Sequence, residues 1–301
     1  MYAVEFAQPK TLADAASILA STGGRPLAGG QSLVAAMKLR LSQPGTLVDL
    51  SAIPDLKGIR RDGERLVIGA MTTHAEIASS DIVKGAMPAV SNLAEGIGDR
   101  QVRNMGTLGG SLANNDPAAD WPAAVLGSGA TIRTNRRTIS AGDFFKGMFE
   151  TALAPDEIIT AVDFPITPRA AYAKFPNPAS RFALVGVFVA QSANGDVRVA
   201  VTGAAPSVFR ATAIEDALRQ SFTPGAAKGV KIDASGLNND LHASAEYPAH
   251  LHPVLPSAGA AACGGGLRPG ARRVRALSWG LGYCSGCSRN RMTWQDANFS
   301  T

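Results

Sequence analysis

The sequence predicts an α+β protein with a two-lobed first domain over residues 1–165 and a small second domain over residues 169–250. Three observations carry that reading. Residues 1–55 run strand, loop, helix, strand, an order that builds an α/β lobe. Residues 56–165 add a hairpin, a capping box and two further strand candidates, enough for a second lobe. Beyond Pro165 and Pro168, which mark a linker, three strand-forming runs and a helical run suit a three-stranded antiparallel sheet with helices.

In chain order, residues 2–6 read as a strand rather than as a secretory leader. Thr11-Leu12-Ala13-Asp14 opens a helix in capping-box style, and Gly23-Gly24 closes it. Residues 25–28 form a strand, residues 32–39 a helix and residues 46–50 a buried strand. Residues 58–69 are a hairpin with Asp62-Gly63 at its turn and Leu66-Val67-Ile68 on its return strand. Thr73-His74-Ala75-Glu76 is a second capping box. Asp116-Pro117 opens a helix with proline at its first position, and residues 130–134 and 157–164 are strands. In the second domain, strands over 170–175, 182–191 and 197–202 precede a helix over 212–220, with Asn194-Gly195 as a tight turn.

Two glycine stretches point to function. Ala28-Gly29-Gly30-Gln31-Ser32 and Thr107-Leu108-Gly109-Gly110-Ser111 each carry a Gly-Gly pair followed by a small or polar residue. Such pairs bring bare amide N–H groups close to an anion, and a following helix adds its partial positive charge. Neither matches G-x-G-x-x-G or G-x-x-x-x-G-K-[ST]. Together they suggest a pyrophosphate held from two sides, and hence a dinucleotide.

Pro26-Leu27-Ala28-Gly29-Gly30-Gln31-Ser32-Leu33, followed by Met37-Lys38-Leu39-Arg40-Leu41, resembles the first FAD loop of the flavin subunit of molybdenum hydroxylases. That family includes the medium subunit of carbon monoxide dehydrogenase and the flavin part of xanthine dehydrogenase. The run from Arg103-Asn104-Met105-Gly106-Thr107 through Asn114-Asn115-Asp116-Pro117-Ala118-Ala119-Asp120 resembles the family's second loop. The resemblance extends to about residue 250.

It implies a PCMH-type FAD-binding fold for residues 1–165. The FAD contacts it implies are Leu27, Ala28, Gly29, Gly30, Gln31, Ser32, Leu33, Ile97, Thr107, Leu108, Gly109, Gly110, Ser111, Asp120, Ile159 and Lys174. Asp120 matches the family's ligand to the FAD sugar, where a carboxylate accepts two hydrogen bonds from vicinal hydroxyls; its plain alternative is a solvated helix residue. Lys174 matches a lysine near the flavin, Asp116 reads as a helix cap, and Ile97 and Ile159 fit the core equally well. No His or Cys is expected to sit beside either glycine loop to form a flavin bond, so the flavin is expected to be noncovalent. The resemblance further implies a large molybdopterin-binding subunit and a small subunit with two [2Fe–2S] clusters, assembled as a dimer of heterotrimers. FAD then passes electrons to an external acceptor.

What the first 250 residues lack agrees with this. They contain no cysteine, and no acid pair or Ser/His/Asp set stands out. The cofactor would therefore do the chemistry and the protein would hold and tune it. His74 stands in the first turn of a helix and reads as a solvated surface residue. A self-sufficient flavin oxidoreductase of the same fold is the alternative, although the chain shows no substrate-binding cap with catalytic tyrosines or histidines. A protein that has lost its cofactor is a third class, against which both retained glycine loops weigh.

The net charge of +5 belongs to the C-terminal tail. Residues 251–301 hold six arginines and one acid, Asp296, leaving 23 basic and 23 acidic residues before them. That neutral body gives no reason to expect a nucleic-acid partner. Cys263, Cys284 and Cys287 also lie in the tail, and one C-x-x-C is too few ligands for a structural zinc; no metal is expected. Rich in Gly, Ala and Arg and without apolar period, the tail departs from the amphipathic helix of the resembling subunits and reads as disordered. No apolar run reaches membrane-spanning length, and cytoplasm is the expected compartment.

Overall fold

The core of the first lobe is the strand Thr46–Asp49, whose four residues are all buried. It lies between Glu5–Ala7 and Arg25–Leu27 and pairs parallel with both. These elements come from a computed structural model that describes residues 2–228 and Val230. The helix Leu12–Thr22 starts where Thr11 accepts from the Asp14 backbone N–H at 3.1 Å and ends at Gly23 in the left-handed region. It buries Ala15 and Leu19 against Val48, Leu50, Ile53 and Leu56. The short helix Leu33–Lys38 follows the first glycine loop. The α/β order expected of the first lobe is present, and its strands pair in parallel.

The second lobe is a five-stranded sheet. Its neighbours, all antiparallel, are Ile59–Asp62, Arg65–Gly69, Ile159–Pro165, Thr131–Thr134 and Thr138–Ser140. The first hairpin turns one residue later than expected. Asp62 pairs with Arg65, so Gly63 and Glu64 form the turn, and Gly63 takes the positive φ of +56°. Thr73 and Glu76 make a full reciprocal capping box at the helix His74–Ser79. Short helices at Asp81–Ala86, Pro88–Glu95 and Arg100–Met105, not anticipated from sequence, precede the second glycine stretch in the chain.

The helix expected to open at Asp116-Pro117 opens instead at Trp121, with Pro122 in its first turn. The intervening carbonyls are already committed to other partners. Pro117 O accepts from Gly203 N and Thr202 Oγ1, Ala118 O from Ala183 N, and Ala119 O from Thr202 Oγ1. Asp116 caps a turn through its Oδ1, which accepts from Ala118 N at 2.8 Å, and so is not a helix cap. The helix Trp121–Ser128 is buried on every side, packing between the second sheet and Phe188, Ala190 and Ala200 of the third.

That third sheet runs antiparallel through Arg169–Pro176, Ala183–Gln191, Val197–Thr202 and Phe209–Arg210. The last strand is short and adds a fourth to the three expected. The helix Thr212–Gln220 spans the expected residues and buries Ile214 and Leu218. Its Glu215 is buried and fully used, accepting from Val199 N at 2.9 Å and from Arg210 at 2.8 and 2.6 Å. The cysteines and the tail over residues 251–301 lie outside the described residues.

Candidate functional site

The two glycine stretches are far apart in sequence and meet in space. Gly29 lies directly on the peptide joining Met105 to Gly106. A Cβ there would overlap Met105 O and come within 2.6 Å of Met105 C and 2.9 Å of Gly106 Cα. A Cβ on Gly110 would stand 3.2 Å from the Cβ of Ala28. Each stretch thus needs bare glycine carbons so that the other can approach, which is a tertiary requirement rather than a turn requirement.

Their chemistry differs. In the second stretch the N–H groups are occupied: Leu108 donates to Thr72 O at 3.1 Å, Gly109 to Ala70 O at 2.8 Å, Gly110 to Thr107 Oγ1 at 3.2 Å and Ser111 to Thr107 O at 3.1 Å. The glycines at 109 and 110 sit inside the helix Leu108–Asn114, capped by Thr107. In the first stretch, the N–H groups of Gly29, Gly30, Gln31 and Ser32 have no acceptor among the described residues. Gly30 holds φ at +71°, which turns successive N–H groups toward one side. The two stretches expected to hold a pyrophosphate from two sides thus differ in what they offer. The first loop carries the backbone donors; the second supplies the close-packed wall and the Ser111 hydroxyl, which is unpaired among the described residues.

A second group of expected residues gathers around Asp120. This residue is only 4% exposed, which rules out the solvated alternative. Its Oδ1 accepts from Tyr172 at 2.6 Å, and Lys174 Nζ stands 2.9 and 3.0 Å from its two oxygens. Burial raises the Asp120 pKa against the opposing pull of Lys174 and Tyr172. Burial, and then the Asp120 charge, push the Tyr172 hydroxyl well above its ordinary range, so Tyr172 stays a donor. Lys174 is largely covered, its side chain 10% exposed, and also donates to Gly96 O at 3.2 Å. Arg103 reaches Ile97 O and Gly98 O at 2.9 and 3.0 Å, which fixes the chain at Ile97. Tyr172 was missed by sequence reasoning. The available signal was its place two residues before Lys174, on the same strand face; Gly186, which pairs with Lys174, leaves room for the Tyr172 hydroxyl.

Ile159 and Leu108 join the core of the second lobe. Leu27 ends its strand, and Leu33 opens the helix after the first loop. His74 overturns the expectation of a solvated surface residue: it is 5% exposed, and its Nδ1 accepts from Trp121 Nε1 at 3.1 Å. It also lies beside the second glycine stretch in space, against the sequence expectation that no histidine does. A Cβ on Gly106 would be 2.8 Å from its Nε2.

Burial, and secondarily the charge of Arg103, lower the His74 pKa from 6.5 to about 4. As pH falls through that window, the unfolded chain takes up a proton that the folded chain refuses, so stability drops with pH. The shift corresponds to about 3 kcal/mol. His74→Asn, which keeps an acceptor and does not titrate, should lose this part of the slope in urea unfolding between about pH 7 and pH 4. Equal slopes in both proteins would show that His74 charges freely in the fold.

Among the described residues no helix is long and apolar enough to cross a membrane, and no group of His, Cys, Asp or Glu could hold a metal ion. Residues 2–167 match the family described as FAD binding domain in molybdopterin dehydrogenase. The chain is 37% identical over 259 residues to the nicotine 6-hydroxylase medium subunit of Paenarthrobacter nicotinovorans, covering 81% of this chain and 92% of that one. It is 38% identical over 200 residues to the carbon monoxide dehydrogenase medium chain of Afipia carboxidovorans, covering 64% and 69%. Among solved structures, carbon monoxide dehydrogenase from Hydrogenophaga pseudoflava superposes with a TM-score of 0.79 at 32% identity, covering 87% of this chain and 97% of that one.

Proposed function

The chain belongs to the family of FAD binding domains in molybdopterin dehydrogenases, and from that premise we propose that it is the FAD-binding electron-transfer subunit of a multi-subunit molybdenum hydroxylase. The observation that carries this reading is the first glycine loop, with four consecutive N–H groups that have no acceptor among the described residues, backed by the bare carbons of the second. That arrangement fits a pyrophosphate, because backbone donors approach closely only where no Cβ intervenes. Bound FAD would supply the redox chemistry, taking electrons from [2Fe–2S] clusters and giving them to an external acceptor.

In this reading Gly29, Gly30, Gln31 and Ser32 hold the pyrophosphate, with Ser111 facing it. Asp120 holds sugar hydroxyls, since its carboxylate keeps acceptor capacity beyond Tyr172 and Lys174. Lys174 supplies a largely covered cation beside that carboxylate. The partners are a large molybdopterin-binding subunit and a small [2Fe–2S] subunit, paired as a dimer of heterotrimers.

FAD should be held without a covalent bond. No cysteine occurs in residues 1–250, and the Nδ1 of nearby His74 is committed to Trp121. Acid precipitation of the purified holoprotein should leave the yellow flavin in the supernatant as FAD. Flavin carried down with the protein would refute noncovalent attachment, and a purified complex with FAD on another chain would refute the subunit assignment.

A further inference from the structure

The buried hydrogen bond from Trp121 to His74 joins two parts of the site. On one side, His74 is fastened to the second glycine stretch. Its N–H donates to Gly106 O at 2.9 Å, and the neighbouring Thr73 and Thr107 form an isolated antiparallel bridge. Its ring edge rests on the bare Gly106 Cα, where a Cβ would be 2.8 Å from Nε2 and 2.9 Å from Cδ2. Gly106 in turn lies under Gly29 of the first loop. On the other side, Trp121 directly follows Asp120, whose carboxylate is held by Tyr172 and Lys174. Trp121 is fully buried, and its ring packs against His74 and Phe164 at centroid distances of 6.0 and 6.5 Å.

We propose that His74 is a positioning residue for the dinucleotide site: through Trp121 on one edge and Gly106 on the other, it sets the spacing between the first-loop donors and the Asp120–Lys174 pair. The inference rests on the reading that FAD spans these two groups. A ligand fixed at both ends binds well only if the ends are held at the right separation, so a slack link costs affinity without touching any ligand contact. Because Nδ1 accepts from the indole, the neutral ring carries its proton on Nε2 and presents that edge to Gly106.

The test titrates the full chain, stripped of flavin, with FAD, and records the melting temperature of each flavin-free protein. His74→Leu removes the acceptor and should raise the FAD dissociation constant about tenfold or more, in line with an unpaired buried donor. His74→Asn restores an acceptor near the Nδ1 position and should recover most of the affinity. Trp121→Phe keeps a ring and deletes the donor, so it should weaken FAD to a similar degree. The double variant His74→Leu with Trp121→Phe should be no worse than either single one, because both break one link. Affinity differing between His74→Leu and His74→Asn at matched melting temperatures separates positioning from mere destabilisation. Should His74→Leu fail to fold, Trp121→Phe against wild type decides.

Wild-type affinity in Trp121→Phe, strictly additive losses in the double variant, or no recovery by His74→Asn would overturn the positioning role while leaving FAD binding intact. A wild-type chain that binds no FAD overturns both readings.

Discussion

Gly29→Ala should purify without flavin. The methyl group would be driven into Met105 O and to within 2.6 Å of Met105 C, where nonbonded carbon contacts need about 3.5–4.0 Å. The obstacle is backbone on both sides, so no side-chain rotation relieves it. The two glycine stretches must separate, and the N–H groups of residues 29–32 move with the first. FAD affinity is expected to fall by at least about a thousandfold, ~4 kcal/mol. Ala28 packs on the core around the strand Thr46–Asp49, while the buried members of that core lie outside the junction, so folding should survive with a drop in melting temperature. Gly110→Val presses on the same junction from the other side, where a Cβ would meet Thr107 Oγ1 at 2.9 Å and Ala28 Cβ at 3.2 Å. It should likewise reduce flavin content sharply. Full occupancy in the Gly29→Ala protein, measured as flavin per polypeptide, would sink the interlocked-loop account.

Asp120→Ala should damage both stability and flavin binding, and the two effects can be separated. Removing the carboxylate strands Lys174, whose side chain is only 10% exposed, and leaves the Tyr172 hydroxyl without its partner. Breaking one side of a buried pair costs about 3–5 kcal/mol. Loss of the sugar-binding acceptor should weaken FAD by a further ~1–3 kcal/mol. Combining Asp120→Ala with Lys174→Met removes the uncompensated charge and should restore much of the stability seen in urea unfolding. Because the acceptor is still missing, FAD affinity should stay low. A double variant that regained wild-type affinity would mean that Asp120 serves only the ion pair.

Elements with strong local chemistry were legible in the sequence. Thr11 with Gly23, Thr73 with Glu76, the all-buried strand Thr46–Asp49 and the helix Thr212–Gln220 each obey rules that act within a few residues. The Asp116-Pro117 signal failed because its carbonyls are claimed by Thr202, Ala183 and Gly203, which lie more than sixty residues away in sequence. His74 failed for a similar reason. A first-turn histidine is locally a surface residue; here Trp121 and Gly106 close over it.

By itself the sequence determined the fold class, the family and the two glycine stretches, because backbone propensity and ordered motifs are properties of consecutive residues. Only the tertiary structure decided how the stretches divide their work. Thr72 and Ala70 take the N–H groups of Leu108 and Gly109, Thr107 takes those of Gly110 and Ser111, and the N–H groups of residues 29–32 have no acceptor among the described residues. It also decided that Asp120, Tyr172 and Lys174 form one buried cluster. Saturation of a donor and burial of a charge depend on which distant segments pack together, and no local pattern specifies that.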